Sequence, residues 1–341
     1  MGGMDVRFAD VVAARAVVAG YLPATPAWSY PVLDAEVGAT VVVKHENVQP
    51  TGAFKVRGGL TLLAGLAAEE RARGLVTYST GNHAQSIAYA CAAYGVPCTV
   101  VMPAGASAGK VRAVRALGAT VELHGEDMAV AQQRAEEVAA RPGAGRPLLV
   151  SPGDTAALVA GVGTLYLELF ERYPDLDAVL VPVGSGTGVA AACLVAAEVA
   201  PRCRVVGVQS AASPAAHDSW RTGACVSRPD RTVVAGLATG RGFDLPQRLM
   251  RDRLAGFHLV DDAAIGAAQA LLATHAHTLA EGAGAAALAG VLAAPADYAG
   301  RRVAVICTGG NAPTTELAAL AARATPDATA PAAAGATGLG A

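Results

Sequence analysis

The sequence predicts an α/β protein built on two open, twisted, mostly parallel sheets. Three observations carry that prediction. Short β-branched runs alternate with longer stretches of helical periodicity. Gly, Pro, Ser or Asp marks most of the junctions between them, where a helix must be capped. The strands are also too many for one simple sheet in a chain of 341 residues, a length that accommodates two compact domains sharing an interface.

The candidate strands are Val41–Glu46, Leu75–Ser79, Cys98–Met102, Thr120–His124, Leu148–Ser151, Ala178–Val183, Arg204–Gln209, Phe257–Val260 and Val303–Cys307. Helical periodicity fills segments between them, such as Glu126–Ala140 and Thr155–Arg172. This βαβα order is that of parallel strands covered on both faces. A small domain is expected over residues 71–149, with four strands and the basic helical region Lys110–Arg115. Residues 1–70 and 150–324 form the larger one. The tail, 325–341, is mostly Ala, Gly, Thr and Pro without periodicity, and is read as disordered.

Composition excludes several classes of function. Hydrophobic residues make up 53% and charged residues 16%, which excludes disorder across the body of the chain. A net charge of -2 and the lack of a large basic patch exclude nucleic acid as the expected partner. The apolar stretches are Ala/Gly-rich, interrupted by charges and shorter than a membrane span, and the first ten residues do not read as a targeting segment. The six cysteines form no CxxC pair and read as reduced core residues. The expectation is a soluble cytoplasmic protein with no membrane association.

Four segments carry chemistry. In Glu46-Asn-Val-Gln-Pro-Thr-Gly-Ala-Phe-Lys55-Val-Arg-Gly-Gly59, a strand ends, a turn follows, and Lys55 stands where a helix begins. The positive end of a helix dipole disfavours an ammonium there. It suits a lysine whose amine must be neutral to condense with an aldehyde; an ordinary surface lysine is the alternative. Ser79-Thr-Gly-Asn-His83 follows a strand and precedes an apolar helix. Its backbone N–H groups form a nest for a carboxylate or phosphate, or simply a good helix cap. Val183-Gly-Ser-Gly-Thr-Gly188 opens the segment Val189–Ala200 with glycines that admit a phosphate. The third glycine is misplaced for a dinucleotide fingerprint, and no acidic residue follows where a ribose would need one. Cys307-Thr-Gly-Gly-Asn311 closes the last strand in the same manner, either as a ligand contact or as a plain turn. All four lie at strand C-termini, where ligands gather in open α/β sheets.

With these motifs in view, the sequence resembles the threonine dehydratase and serine racemase family of fold-type-II pyridoxal-phosphate enzymes, from about Pro26 to about Leu320. The motifs that carry the resemblance are Thr51-Gly-Ala-Phe-Lys-Val-Arg-Gly, Gly81-Asn-His-Ala-Gln-Ser, the Gly184–Gly188 loop, Glu281-Gly-Ala-Gly-Ala-Ala-Ala and Thr308-Gly-Gly-Asn. Val208-Gln-Ser-Ala-Ala-Ser-Pro-Ala-Ala and Gly236-Leu-Ala-Thr are most similar to bacterial serine/threonine dehydratase-like members.

The resemblance implies a tryptophan synthase β-like fold with pyridoxal 5'-phosphate at the domain interface, an amino-acid substrate and a homodimer. It also implies roles. Lys55 carries the cofactor and then moves the substrate α-proton, and Phe54 packs near the cofactor ring. Asn82 bonds the ring's phenolic oxygen and Thr308 meets its nitrogen. Gly184, Ser185, Gly186, Thr187 and Gly188 cradle the phosphate. Ser79, Thr80, Gly81, Asn82 and His83 hold the substrate carboxylate. The implied reaction is β-elimination from a small hydroxy amino acid such as L-threonine or L-serine, giving a 2-oxo acid and ammonia. A hydroxyl rather than a carboxylate at the ring nitrogen makes the ring a weaker electron sink, which favours rapid loss of the β-group.

Departures from the family pattern qualify this. Thr80 stands where racemases place a serine serving the opposite face of the substrate, so it is either a second acid/base or a wall. In metal-binding members one acidic residue stands where Gln209 is and another near Ala215; both carboxylates are absent here, so no divalent cation is expected there. Ala235 stands where the family usually has Asp or Glu, and the phosphate loop is not an all-glycine run. These changes keep β-replacement or racemisation in a specialised biosynthetic pathway as the alternative.

Overall fold

The computed structural model describes residues 5–141 and 145–324; the tail read as disordered lies outside the described residues. Ten strands are present among the described residues: β1 (Ala27–Trp28), β2 (Thr40–His45), β3 (Leu75–Tyr78), β4 (Cys98–Met102), β5 (Thr120–Leu123), β6 (Leu148–Val150), β7 (Ala178–Pro182), β8 (Arg204–Ser210), β9 (Gly256–Val260) and β10 (Arg302–Cys307). They form two sheets, ordered β1-β2-β10-β7-β8-β9 and β5-β4-β3-β6. The second is parallel throughout. The first is parallel except for β1, which pairs antiparallel with β2 in the register Ala27↔Lys44.

The two-residue β1 was not legible in the sequence, because Ala27–Trp28 is too short to show alternation. Glu46, expected at the end of the second strand, instead starts a 3-10 turn over Glu46–Val48. Its carboxylate is drawn inward to Arg57.

Period-2 burial explains how the larger sheet divides the core. Val42, Ala304 and Ile306 join one apolar cluster with the helices Ala156–Arg172 and Thr187–Val199. Val41, Val43, Val303, Val305 and Cys307 join another with Asp262–His275 and Gly282–Ala293 on the opposite face. Both faces are covered, as parallel sheets require. The helix Val56–Gly65 packs against both Asn82–Tyr94 and Ala156–Arg172. Its residues Val56, Leu60 and Leu63 share a core with the smaller sheet's Leu75, Val100 and Val150. It therefore lies between the two sheets, and Lys55 is the residue that caps it.

A buried ionic cluster anchors that helix. Arg57 and Glu46 are both 0% exposed. Arg57 Nε donates to Glu46 Oε2 at 2.8 Å and Nη2 to Glu46 Oε1 at 2.9 Å. Nη1 donates to Glu168 Oε1 at 2.7 Å. Lys44 Nζ completes the cluster on Glu168 Oε2 at 2.5 Å and the Thr25 carbonyl at 3.0 Å. Burial alone would push the Glu46 carboxyl up, but the Arg57 guanidinium outweighs it and the net shift is downward. A depressed folded value gives stability that is present above the unfolded carboxyl range and lost as pH falls through the folded value. Removing one partner of such a cluster leaves an uncompensated buried charge, at about 3–5 kcal/mol. Arg57→Ala is accordingly expected to lower the urea midpoint of unfolding by a corresponding amount. An unchanged midpoint would show the cluster to be dispensable.

Candidate active site

Four loops at strand C-termini converge on one cleft of about 1310 Å³. Phe54, Lys55, Ser79, Thr80, Gly81, Asn82, His83, Gly184 to Gly188 and Thr308 all line it. The positions picked out from the sequence are thus brought together, although they lie as much as 254 residues apart along the chain (308 − 54).

The sequence contains only three lysines: Lys44, Lys55 and Lys110. Lys44 is 1% exposed and committed to Glu168. Lys110 lies on the helix Ala108–Ala116 at the rim of the cleft. Lys55 is half-buried beside Phe54, its Nζ 5.1 Å from the ring centroid. Burial lowers its pKa to about 8. Desolvation of the amine does what the helix-dipole argument proposed, so a sizeable fraction is neutral near physiological pH.

The His83 side chain is engaged away from the turn's backbone N–H groups. Its ring Nε2 lies 2.8 Å from Thr77 Oγ1, which itself donates to the Val150 carbonyl at 2.8 Å. The hydroxyl therefore accepts from the imidazole, and the ring is committed to the β3 floor. Burial, reinforced by the Lys55 charge, pushes its pKa down to about 3, so the ring is neutral. What His83 offers an anion is its backbone N–H in the first turn of Asn82–Tyr94, a group without an intrahelical partner. Ser79 Oγ accepts from Gly81 N at 3.1 Å and shapes the same turn.

In the glycine loop, Ser185 Oγ and Thr187 Oγ1 both donate to the Pro152 carbonyl, at 3.2 and 3.0 Å. Gly186 has φ 91°, a left-handed conformation that a side chain would strain. The loop opens directly into the helix Thr187–Val199, whose N-terminus favours an anion. Thr308 is 4% exposed, and its carbonyl accepts from Phe54 N at 3.0 Å, which ties the lysine segment to the end of β10.

Two residues lacking a role in the sequence reading are central here. Glu281 Oε1 accepts from Asn82 Nδ2 at 2.6 Å, and Asn311 Nδ2 donates to Asn82 Oδ1 at 2.8 Å. The signal available for Glu281 was a lone carboxylate inside an apolar Ala/Gly run. At the position of metal-binding carboxylates, Gln209 is buried and its Oε1 accepts from His217 N at 3.0 Å. Among the described residues no group of three or more His, Cys, Asp or Glu side chains is arranged to hold a metal.

These features fit pyridoxal phosphate. A phosphate matches the glycine loop and helix end, an aldehyde matches a lysine of lowered pKa beside an aromatic ring, and Thr308 supplies a neutral hydroxyl. Condensation needs the free amine, so reconstitution of apoprotein with pyridoxal phosphate is expected to slow about tenfold per pH unit below 8. A rate independent of pH between 6 and 9 would contradict the lowered value.

Comparisons with known proteins agree. A family model described as pyridoxal-phosphate dependent enzyme matches residues 18–309. L-threonine ammonia-lyase from Thermotoga maritima is 36% identical over 281 residues, covering 82% of this chain and 69% of the relative. Beta-hydroxyaspartate dehydratase from Paracoccus denitrificans is 32% identical over 305 residues, covering 89% and 96%. Among solved structures, processed threonine deaminase isoform 2 from Solanum lycopersicum superimposes with a TM-score of 0.87 at 27% identity, covering 93% of this chain and 87% of that one. With Lys55, the glycine loop and Thr308 gathered in one cleft, and with residues 18–309 matched, the chain belongs to the pyridoxal-phosphate dependent enzyme family.

Proposed function

We propose that this protein is an ammonia-lyase that dehydrates and deaminates L-threonine or L-serine to a 2-oxo acid and ammonia. The observation that carries the reading is the half-buried amine of Lys55, with its pKa lowered to about 8, in a cleft with two strand-end anion sites. When bound, the cofactor supplies an aldehyde for the substrate amine and an electron-withdrawing ring that acidifies the Cα–H bond. The chain supplies the rest. The turn from Ser79 to His83 orients the substrate carboxylate through backbone N–H groups. The Lys55 amine takes the α-proton, a step worth roughly 10²–10⁴-fold. Thr308, being a neutral hydroxyl, does not hold a proton on the ring nitrogen as a carboxylate would, which favours departure of the β-hydroxyl. In this reading Phe54, Asn82 and Gly184 to Gly188 hold the cofactor, and residues 71–149 are a small domain that brings the carboxylate turn to it. The names of the Thermotoga and tomato relatives support the substrate.

A second reading replaces threonine with 3-hydroxyaspartate. Lys110, Arg112 and Arg241 line the cleft, and none has a carboxylate within ion-pair distance among the described residues. Such cations suit a substrate with a second carboxylate, and the Paracoccus relative carries that activity in its name. Holoenzyme should be offered L- and D-serine, L- and D-threonine and 3-hydroxyaspartate, with 2-oxo acid followed by mass spectrometry. Pyruvate or 2-oxobutyrate is expected, and oxaloacetate as the dominant product would select the second reading. Lys55→Ala is expected to abolish turnover. A wild-type rate in that variant would remove the assignment.

We propose Thr80 as the residue facing the substrate opposite Lys55. Thr80→Ala is then expected to suppress any exchange of the α-proton with solvent deuterium in recovered D-substrate while leaving elimination of the L-enantiomer. Equal loss of both would reduce Thr80 to a structural part of the turn.

We further propose a homodimer working in the cytoplasm. Trp28, Val32, Val48 and Leu279 are each more than half exposed. Trp28 packs tilted and Tyr30 edge-on against His45, and Asn47, next to Val48, bonds Thr278 and the Leu279 carbonyl. Exposed apolar residues of this kind support an interface there. All six cysteines are free thiols and no described helix is long and apolar enough to cross a membrane, both of which support that compartment. Light scattering is expected to give twice the chain mass, and Val32→Asp to halve it. A monomeric wild type would refute the dimer.

A further inference from the structure

Asn82 is held from both sides. Its Oδ1 accepts from Asn311 Nδ2 at 2.8 Å, and the other hydrogen of that nitrogen goes to the Thr51 carbonyl at 2.8 Å. Its Nδ2 donates to Glu281 Oε1 at 2.6 Å. Rotating the amide by half a turn would set oxygen against carboxylate and nitrogen against nitrogen, losing both bonds. One N–H of Asn82 remains for the cleft that the residue lines.

Glu281 is itself fixed. It caps the helix Gly282–Ala293, its N–H donates to the Gly309 carbonyl at 3.0 Å, and it is 9% exposed. A Cβ on Gly309 would lie 2.3 Å from Glu281 Oε1 and 3.1 Å from Asn82 Nδ2, so only glycine allows this approach. The chain Thr51–Asn311–Asn82–Glu281 thus joins the lysine segment, the carboxylate turn and the loop after β10.

We propose that Glu281 is a positioning residue whose carboxyl group, together with Asn311, locks Asn82 as a donor toward the cofactor, so that the protonation of Glu281 is read out at the bound cofactor. The inference rests on the assignment of Asn82 to the cofactor.

The surroundings of Glu281 set where it titrates. Burial pushes its pKa up, the Asn82 hydrogen bond and Lys110 of Ala108–Ala116 oppose this, and Glu316 of the helix Thr314–Ala324 adds to it; the result is about 7. Glu316 is already engaged with Gly282 N and Gln269 Nε2, and the neighbouring Cys307 thiol is pushed up by burial and by Glu281 itself. Glu281 is therefore the carboxyl group of this cluster placed to change charge near neutral pH.

The test is a pH titration of the visible absorption of the holoenzyme, with cofactor affinity measured separately by titrating apoprotein. Wild type is expected to show an inflection near pH 7. Glu281→Gln, which keeps an acceptor oxygen, should retain the cofactor and lose that inflection. Glu281→Asp, which keeps a titrating carboxyl, should retain an inflection at a shifted pH. Asn311→Ala should keep the inflection but weaken cofactor binding about tenfold, as expected when an amide is freed to rotate. Superimposable titration curves for wild type and both Glu281 variants overturn the proposal, and so does unchanged affinity in Asn311→Ala. A purified chain with no visible cofactor band would instead strike at the assignment of Asn82 on which the proposal stands.

Discussion

A guanidinium with no access to water dictates much of this architecture. Arg57 is satisfied only if Glu46 in the turn after β2 and Glu168 in the helix Ala156–Arg172 are both brought to it. Lys44 then balances the second carboxylate. Charges of this kind are costly unless the geometry is met on every side. The start of the helix Val56–Gly65 therefore has little freedom, and Lys55 lies two residues before the arginine. The Lys55 amine is thus positioned by a cluster whose charges are satisfied among themselves.

Around that amine the protein keeps its groups neutral or near their point of titration. Burial brings Lys55 to about 8, Glu281 to about 7 and His83 to about 3. The same physical cause acts in opposite directions on bases and acids, drawing amine and carboxyl toward neutral pH. Both the turn at Ser79 and the glycine loop lead into helix starts, whose free backbone N–H groups favour an anion. Three cations that line the cleft, Lys110, Arg112 and Arg241, have no carboxylate partner among the described residues.

Much of this could be read in the chain itself, for reasons that differ by element. Nine of the ten described strands were legible, the six internal ones most plainly, because parallel strands buried on both faces are largely continuous apolar runs, as in Ala178–Pro182. The loops at Ser79, Gly184 and Thr308 were legible because small residues stand abruptly at strand ends. β1 was not, being two residues long and paired only through the fold. Glu281, Asn311 and Glu168 were not, because their partners are distant in sequence and a buried carboxylate looks like any other until its donor is located. The commitment of the His83 ring was not legible for a related reason. The Thr77 hydroxyl that claims the ring lies on β3, and residue spacing gives no hint of that contact.

The central claim is that Lys55, of the three lysines, is the residue to which the cofactor is attached. Borohydride reduction of the holoenzyme followed by peptide mass spectrometry tests it most directly. The account predicts one stable pyridoxyl adduct, on the peptide containing Lys55. An adduct on Lys110 alone, or none on a protein that shows the cofactor's absorption, would contradict it.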